Sequence, residues 1–137
     1  HENIHIVVAV DTKRGLLVPV IKDADKKSLE EIHQAMEEIK KKSVKGNFSM
    51  EDLSGGTFVV SNLGMFHIHA FTAIVNAPNG AIISVGRMED VPIIKDGKIV
   101  AGKTMQIALN MDHRVIDGAT GAKFLTALAE RLETLDA

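Results

Sequence analysis

One histidine in this chain stands in a setting suited to proton transfer. His113 falls between an apolar, strand-like stretch ending at Met111 and a helical pattern starting near Ala119. Asp112 and Arg114 flank it, Asp117 lies four residues on, and Gly118 follows. Strand ends and the loops after them present side chains into clefts. An imidazole, whose free pKa lies nearest neutrality, can take a proton and return it within one turnover. Arg114 and Asp117 are close enough in sequence to form ion pairs that hold the loop's shape. Spacing alone leaves a second reading open, a surface loop carrying an ordinary histidine.

Other residues offer less by themselves. Ser61 ends a strand-like run over residues 57–62, and a hydroxyl satisfied by backbone is the simpler account of it. His67 and His69 form a His-x-His pair, which on a strand would put both rings on one face, a spacing some metal sites use. No third ligand accompanies them, so solvent-facing histidines are the favoured reading. His5 and His33 read as ordinary strand and helix residues. Gly55, Gly56 and Gly64 suit turns or close packing, since no Gly-rich loop leads from a strand into a helix as a phosphate cradle would.

The elements that must position these groups are legible from periodicity. The β-branched run over 4–10 reads as a buried strand. A polar turn at 11–15 and a second strand over 16–21, with Pro19 near its end, suggest a hairpin. Ser28 starts a helix, with Glu31 placed to close a capping box. Leu29, Ile32, Met36 and Ile39 recur at helical spacing toward a core. Lys40, Lys41, Lys42 and Lys45 gather at its end, as a solvated last turn does. A further turn is suggested over 49–53. Strands are expected over 57–62, 80–85, 91–94, 99–100 and 104–111, with Lys95-Asp96-Gly97-Lys98 as a tight turn. A closing helix is expected over 119–135, with Ala122, Leu125, Leu128, Leu132 and Leu135 as its apolar stripe. The class is α/β or α+β, with helices packed on a sheet.

Length and composition agree with one modest domain. The chain has 137 residues, of which 45% are hydrophobic and 25% charged, near the average for globular proteins. A net charge of -2 gives no electrostatic argument for nucleic acid or an anionic membrane. Cysteine is absent, which excludes thiol nucleophiles, disulfides and cysteine-bound metals.

The segment Asp112-His113-Arg114-Val115-Ile116-Asp117-Gly118 resembles the His-x-x-x-Asp-Gly signature of the dihydrolipoyl acyltransferases of 2-oxo acid dehydrogenase complexes. Chloramphenicol acetyltransferases share it in shorter form, and the arginine after the histidine favours the first group. Gly55-Gly56-Thr57-Phe58-Val59-Val60-Ser61-Asn62-Leu63-Gly64-Met65-Phe66 is similar to the family's strand that carries an oxyanion-stabilising hydroxyl. Phe71-Thr72-Ala73-Ile74-Val75-Asn76-Ala77-Pro78 and residues 11–27 resemble two further stretches, so the likeness runs nearly the length of the chain.

The resemblance implies an α/β, two-layer sandwich of the chloramphenicol-acetyltransferase type, a mixed sheet with helices on one face. It also implies direct acyl transfer between thiols. His113 would deprotonate the thiol of coenzyme A, or of dihydrolipoamide in reverse, and Ser61 would donate its hydroxyl to the tetrahedral oxyanion. Asp117 and Arg114, with Asn62 and Gly118, would be supports. Coenzyme A enters as a substrate, the lipoyl group belongs to a separate domain, and no metal is implied. The implied partners are the lipoyl domain, the decarboxylase and dehydrogenase components, and further copies in a homotrimer that assembles into a larger core. In that trimer His113 and Ser61 of one centre come from different chains. No nucleic-acid or membrane partner is implied, and the implied compartment is a bacterial or archaeal cytoplasm or the mitochondrial matrix. Ser61-Asn62-Leu63-Gly64-Met65-Phe66 is more like the acetyl-transferring branch than the succinyl branch. Branched-chain enzymes stay open, because acyl pockets that differ by a methylene discriminate by only about 1–3 kcal/mol.

Catalytic domains of that family are longer than this chain, which begins without a methionine and runs at once into a strand. Residues 1–137 are therefore expected to be the C-terminal part of a single catalytic domain of a longer polypeptide. No lipoyl or subunit-binding domain is expected in them, and no leucine-rich tail after Leu135-Asp136-Ala137. Weak or no transfer is expected from this stretch alone. Two other readings are a trimeric scaffold with degenerate catalysis, against which intact His113, Asp117 and Ser61 argue, and a drug acetyltransferase, which fits 61–66 and 11–25 poorly.

Overall fold

A computed structural model describes residues 2–135, so His1, Asp136 and Ala137 lie outside the described residues. The β-branched run near the start forms β1 (Ile6–Val8). It pairs antiparallel with β4 (Val20–Ile21) on one side and parallel with β5 (Phe58–Asn62) on the other. β6 (Ala81–Lys95) lies parallel beside β5, and β7 (Lys98–Met111) runs antiparallel to β6. The sheet order is β4-β1-β5-β6-β7. The expected first hairpin is present but divided, because β2 (Val10–Thr12) and β3 (Gly15–Leu17) form a separate two-stranded ribbon. Pro19 has no N–H to continue the ladder. Beyond Val8 the chain bonds elsewhere, with Ala9 N donating to Val60 O at 3.1 Å.

Periodicity predicts four short strands between 80 and 111, and the structure has two long ones instead. Gly86 and Gly102 look like breaks in the sequence, but the β6–β7 ladder runs past both, absorbing an irregularity between Val85 and Met88. The turn joining them is where the Asp-Gly pair predicts it, with positive φ at Asp96 (52°) and Gly97 (74°).

Strand alternation puts Val7, Val20, Val59 and Ile82 on one face of the sheet, and Ile6, Ile21, Phe58 and Ala81 on the other. The second face carries the helices. α1 (Leu29–Lys45) opens with the expected Ser28–Glu31 capping box and closes at Gly46, whose φ is 67°. α2 (Gly118–Glu133) sets Phe124 against Phe58, ring centroids 5.5 Å apart, and presses Gly121 against Met111. The apolar stripes are covered less than their periodicity suggests. In α1 only Ile39 is buried and Leu29 is 80% exposed; in α2 Ala122 and Leu132 are open, and Leu135, expected in the helix, lies past its end at Glu133. A five-stranded sheet with two short members gives each helix cover over only part of its length.

The first face carries the core of Val7, Val59 and Ile82, with Val18, Val20, Ala73 and Val75 packed on it. The strand-free stretch after β5 lies across it. Ser84, 1% exposed, receives the Ala73 N–H on its Oγ at 3.1 Å. At the β6 irregularity the same stretch comes closer still, with Arg87 N donating to Ile68 O at 2.8 Å. A Cβ at Gly86 would lie 1.9 Å from the His69 carbonyl oxygen, so backbone meets backbone there. Gly86→Ala is therefore expected to cost roughly 1–3 kcal/mol, as overpacking does. Urea unfolding measures it, and an unchanged midpoint would mean that the 66–70 stretch gives way freely.

Candidate active site

β7 ends beside the start of β6, where Met111 pairs with Ala81 and Asp112 N donates to Gly80 O at 2.8 Å. The chain then turns tightly, with Val115 N and Ile116 N donating to Asp112 O at 2.9 and 3.0 Å. Within this turn Asp112 and Arg114 clasp each other across His113. Arg114 Nε and Nη2 donate to the two carboxylate oxygens at 2.9 and 2.6 Å, and Arg114 N donates to Oδ1 at 3.0 Å. This bidentate geometry is the strong form of the pair. The guanidinium, helped by the backbone N–H, holds the Asp112 carboxyl down to about 2. His113, exposed to solvent, sits on a turn fixed from both sides.

Asp117 has a different task. It is the N-cap of α2, accepting from Thr120 N at 2.7 Å and from Thr120 Oγ1 at 3.1 Å. The Thr120 N–H does most to hold its carboxyl below the usual range, with a smaller contribution from the His113 charge. The ion pair that Arg114 forms to hold the loop is with Asp112, which offers the guanidinium a bidentate partner two residues away, while Asp117 caps the helix. Gly118 opens α2 with open space around its Cα.

The Asp112 carboxyl titrates lower in the folded chain than in the unfolded one, so the clasp stabilises most above the free pKa and weakens as pH falls toward 2. The stability difference between the native protein and Asp112→Asn should be level from about pH 5 to 8 and shrink below about pH 4. Urea titrations at stepped pH check this, and a difference that already changes near neutrality would assign it to another group.

Ser61 lies elsewhere. On β5 it faces the loop-covered side of the sheet and lines a cavity of about 710 Å³ whose walls include Val18, Val59, Ile74, Asn76 and Ile82. Asn62 Oδ1 accepts from Gly64 N at 2.8 Å and shapes the turn after the strand. Register shows how far apart the two groups are. Ser61 pairs with Ser84, and Ser84 with Ala108, five residues before His113. At about 3.3 Å per residue along the strand and about 4.8 Å for each of the two strand steps, that is a separation of roughly 19 Å. One chain therefore gathers His113, Arg114, Asp117 and Gly118 at the end of β7, and Ser61 and Asn62 on β5, without joining the two groups.

Asp112 reads in the sequence as a mere flank, although an Asp-x-Arg pair around a histidine is a recognisable clasp. Ser84 and Asn76 carry no local signal at all. His67 and His69 do not share a strand face. His67 follows the turn Gly64–Phe66 with φ 59°, and His69 Nδ1 lies 2.8 Å from Glu89 Oε2, while Arg87 holds that carboxylate's other oxygen, Oε1. Among the described residues no three His, Cys, Asp or Glu side chains converge as a metal site, and no helix is long and apolar enough to cross a membrane.

Comparison with known proteins covers the whole chain. The family described as 2-oxoacid dehydrogenases acyltransferase (catalytic domain) matches residues 1–137. The dihydrolipoyllysine-residue acetyltransferase component of the pyruvate dehydrogenase complex of Rickettsia felis is 39% identical over 98% of this chain. The succinyltransferase component of the 2-oxoglutarate dehydrogenase complex of Rickettsia typhi is 44% identical over 93%. Each match covers 32% of the relative, so the chain spans about a third of their length. Among solved structures, a dihydrolipoamide acetyltransferase of Azotobacter vinelandii superposes with a TM-score of 0.92 at 38% identity, over 98% of this chain and 55% of that one. That structure concerns a serine, a histidine and an asparagine in its catalytic mechanism. The cubic core of a pyruvate dehydrogenase multienzyme complex superposes at 0.89 with 38% identity, over 95% and 54%. The mixed sheet with helices on one face is the fold of these cores. The chain belongs to the family of 2-oxoacid dehydrogenase acyltransferase catalytic domains.

Proposed function

We propose that this chain supplies the base and the oxyanion donor for acyl transfer between dihydrolipoamide and coenzyme A. His113 takes the proton from the attacking thiol, and the thiolate forms a new C–S bond at the thioester carbonyl. Ser61 donates its hydroxyl to the oxygen as negative charge develops there. The intermediate collapses by breaking the original C–S bond, and the imidazolium returns the proton to the departing thiolate. Asp112 and Arg114 fix the turn that carries His113, and Asp117 anchors that turn to α2.

The observation that carries this reading is a spacing. In the Azotobacter vinelandii enzyme the catalytic serine and histidine studied are 52 residues apart, with the asparagine four beyond the histidine. Ser61, His113 and Asp117 stand at the same intervals, with aspartate in the last place. The separation of Ser61 from His113 within one chain supports a centre completed between neighbouring copies, and the cubic core among the relatives supports assembly of those copies into a larger body. The relatives' membership of dehydrogenase complexes supports a lipoyl-bearing substrate delivered by other components. The test is acetyl transfer from acetyl-CoA to dihydrolipoamide by the complete polypeptide, and absence of transfer would overturn the reading.

A further inference from the structure

Among the described residues Ser84 is the one buried polar side chain, set in β6 between Ile83 and Val85 in the middle of the sheet. A hydroxyl in such surroundings costs stability unless it is hydrogen-bonded. Its partner comes from outside the sheet. Ser84 Oγ accepts from Ala73 N at 3.1 Å, and Ala73 belongs to the strand-free stretch that covers this face. Among the described residues this is the hydrogen bond that ties positions 70–78 to the sheet. The ties before it, Arg87 N to Ile68 O and His69 to Glu89, hold the chain only as far as residue 69.

Register places this tie beside the oxyanion donor. Ser61 and Ser84 are paired residues on the parallel strands β5 and β6, so their side chains stand on one face with backbones about 4.8 Å apart. Ser61 lines the cavity, and Thr72, Ala73 and Ile74 supply part of its wall, with Ser84 beneath Ala73. We infer that Ser84 is a positioning residue for acyl transfer, seating the 72–74 wall next to Ser61 and so setting where the thioester carbonyl meets the Ser61 hydroxyl. The inference rests on the reading of Ser61 as the oxyanion donor. Such a donor works within about 2.7–3.1 Å of the developing oxyanion, and a misplacement of about 1 Å can cost roughly 10²-fold in rate. Ala73 and Val75 also pack on Val7, Val59 and Ile82, but apolar contact has no direction. The hydrogen bond is what fixes the stretch at one position along β6.

A cycle of Ser84→Ala, Ser61→Ala and the double variant tests this, each in the complete polypeptide assayed for acetyl transfer from acetyl-CoA to dihydrolipoamide. Ser84→Ala should lower kcat about tenfold or more, with the KM for acetyl-CoA moved by less than about threefold. In the Ser61→Ala background the same change should lower kcat by less than about threefold, because the contact it serves is already gone. An equal loss in both backgrounds would show that the hydroxyl acts on the fold at large. A loss confined to KM would show that it serves binding alone. Either result overturns the inference, as does a native rate from Ser84→Ala. A native rate from Ser61→Ala would instead overturn the functional reading beneath it. Ala73→Pro removes the N–H from the other side of the bond and leaves β6 untouched. It should reproduce the kcat loss and its dependence on Ser61, also where Ser84→Ala proves too unstable to assay, and a native rate from it overturns the inference.

Discussion

Substitution of His113→Ala in the complete polypeptide is expected to lower kcat for acetyl transfer by about 10²–10⁴-fold, the range general-base catalysis supplies. The fold should survive the change. The His113 side chain is exposed, so truncating it opens no cavity in a core. The turn that carries it is held without the ring, by the Asp112–Arg114 clasp, by Asp112 N on Gly80 O, and by the two N–H groups on Asp112 O. The signature is therefore a large loss of turnover with an unchanged urea midpoint and unchanged assembly size. Asp112 and Asp117 are both held below the ordinary carboxylate range, so neither changes charge near neutrality. Neither carboxylate can then stand in for the missing base in the variant. A native rate from His113→Ala would remove the base from the mechanism, and a rate loss accompanied by a lowered midpoint would assign the histidine to structure.

How much of this is legible in the sequence depends on the range of the interactions involved. The Ser28–Glu31 box, the Gly46 stop and the Asp96–Gly97 turn are local, and each is where its residues predict it. The Asp117 cap is local too, yet in the sequence Asp117 reads as an ion-pairing support of the loop and Asp112 as a mere flank. Sequence proximity does not rank competing partners, and Asp112 gives better geometry. Gly86 and Gly102 imitate strand breaks because the pairing that carries β6 and β7 past them is made by the partner strand. The apolar stripes of α1 and α2 show which way each helix turns but not how far the sheet extends beneath it, and so Leu29 and Leu132 lie open. The same limit applies to the candidate site. The motif around His113 is contiguous and legible, whereas its distance from Ser61 is a property of register through β5, β6 and β7.

That distance makes the second large prediction. Ser61→Ala should lower kcat by about 10²–10³-fold, the usual loss on removing one oxyanion donor, with the shape of the pH profile kept because a hydroxyl does not titrate in this range. Ser61 is only half-buried and its β5 ladder is made by backbone, so the strand should hold without the hydroxyl. The two variants can then be combined. If both groups belonged to a centre within one chain, mixing His113→Ala with Ser61→Ala copies would restore nothing, since every centre would lack one of them. If the centre lies between neighbouring copies arranged in a ring, a Ser61→Ala copy can offer its intact His113 to the intact Ser61 of a His113→Ala neighbour. Random assembly from equal amounts then leaves about one centre in four with both groups. Co-expression of the two variants should accordingly recover about a quarter of native activity, far above the sum of the separately purified variants. No recovery, in assemblies shown to contain both variants, would place His113 and Ser61 in one chain's centre and require β5 and the end of β7 to lie much closer than their register allows.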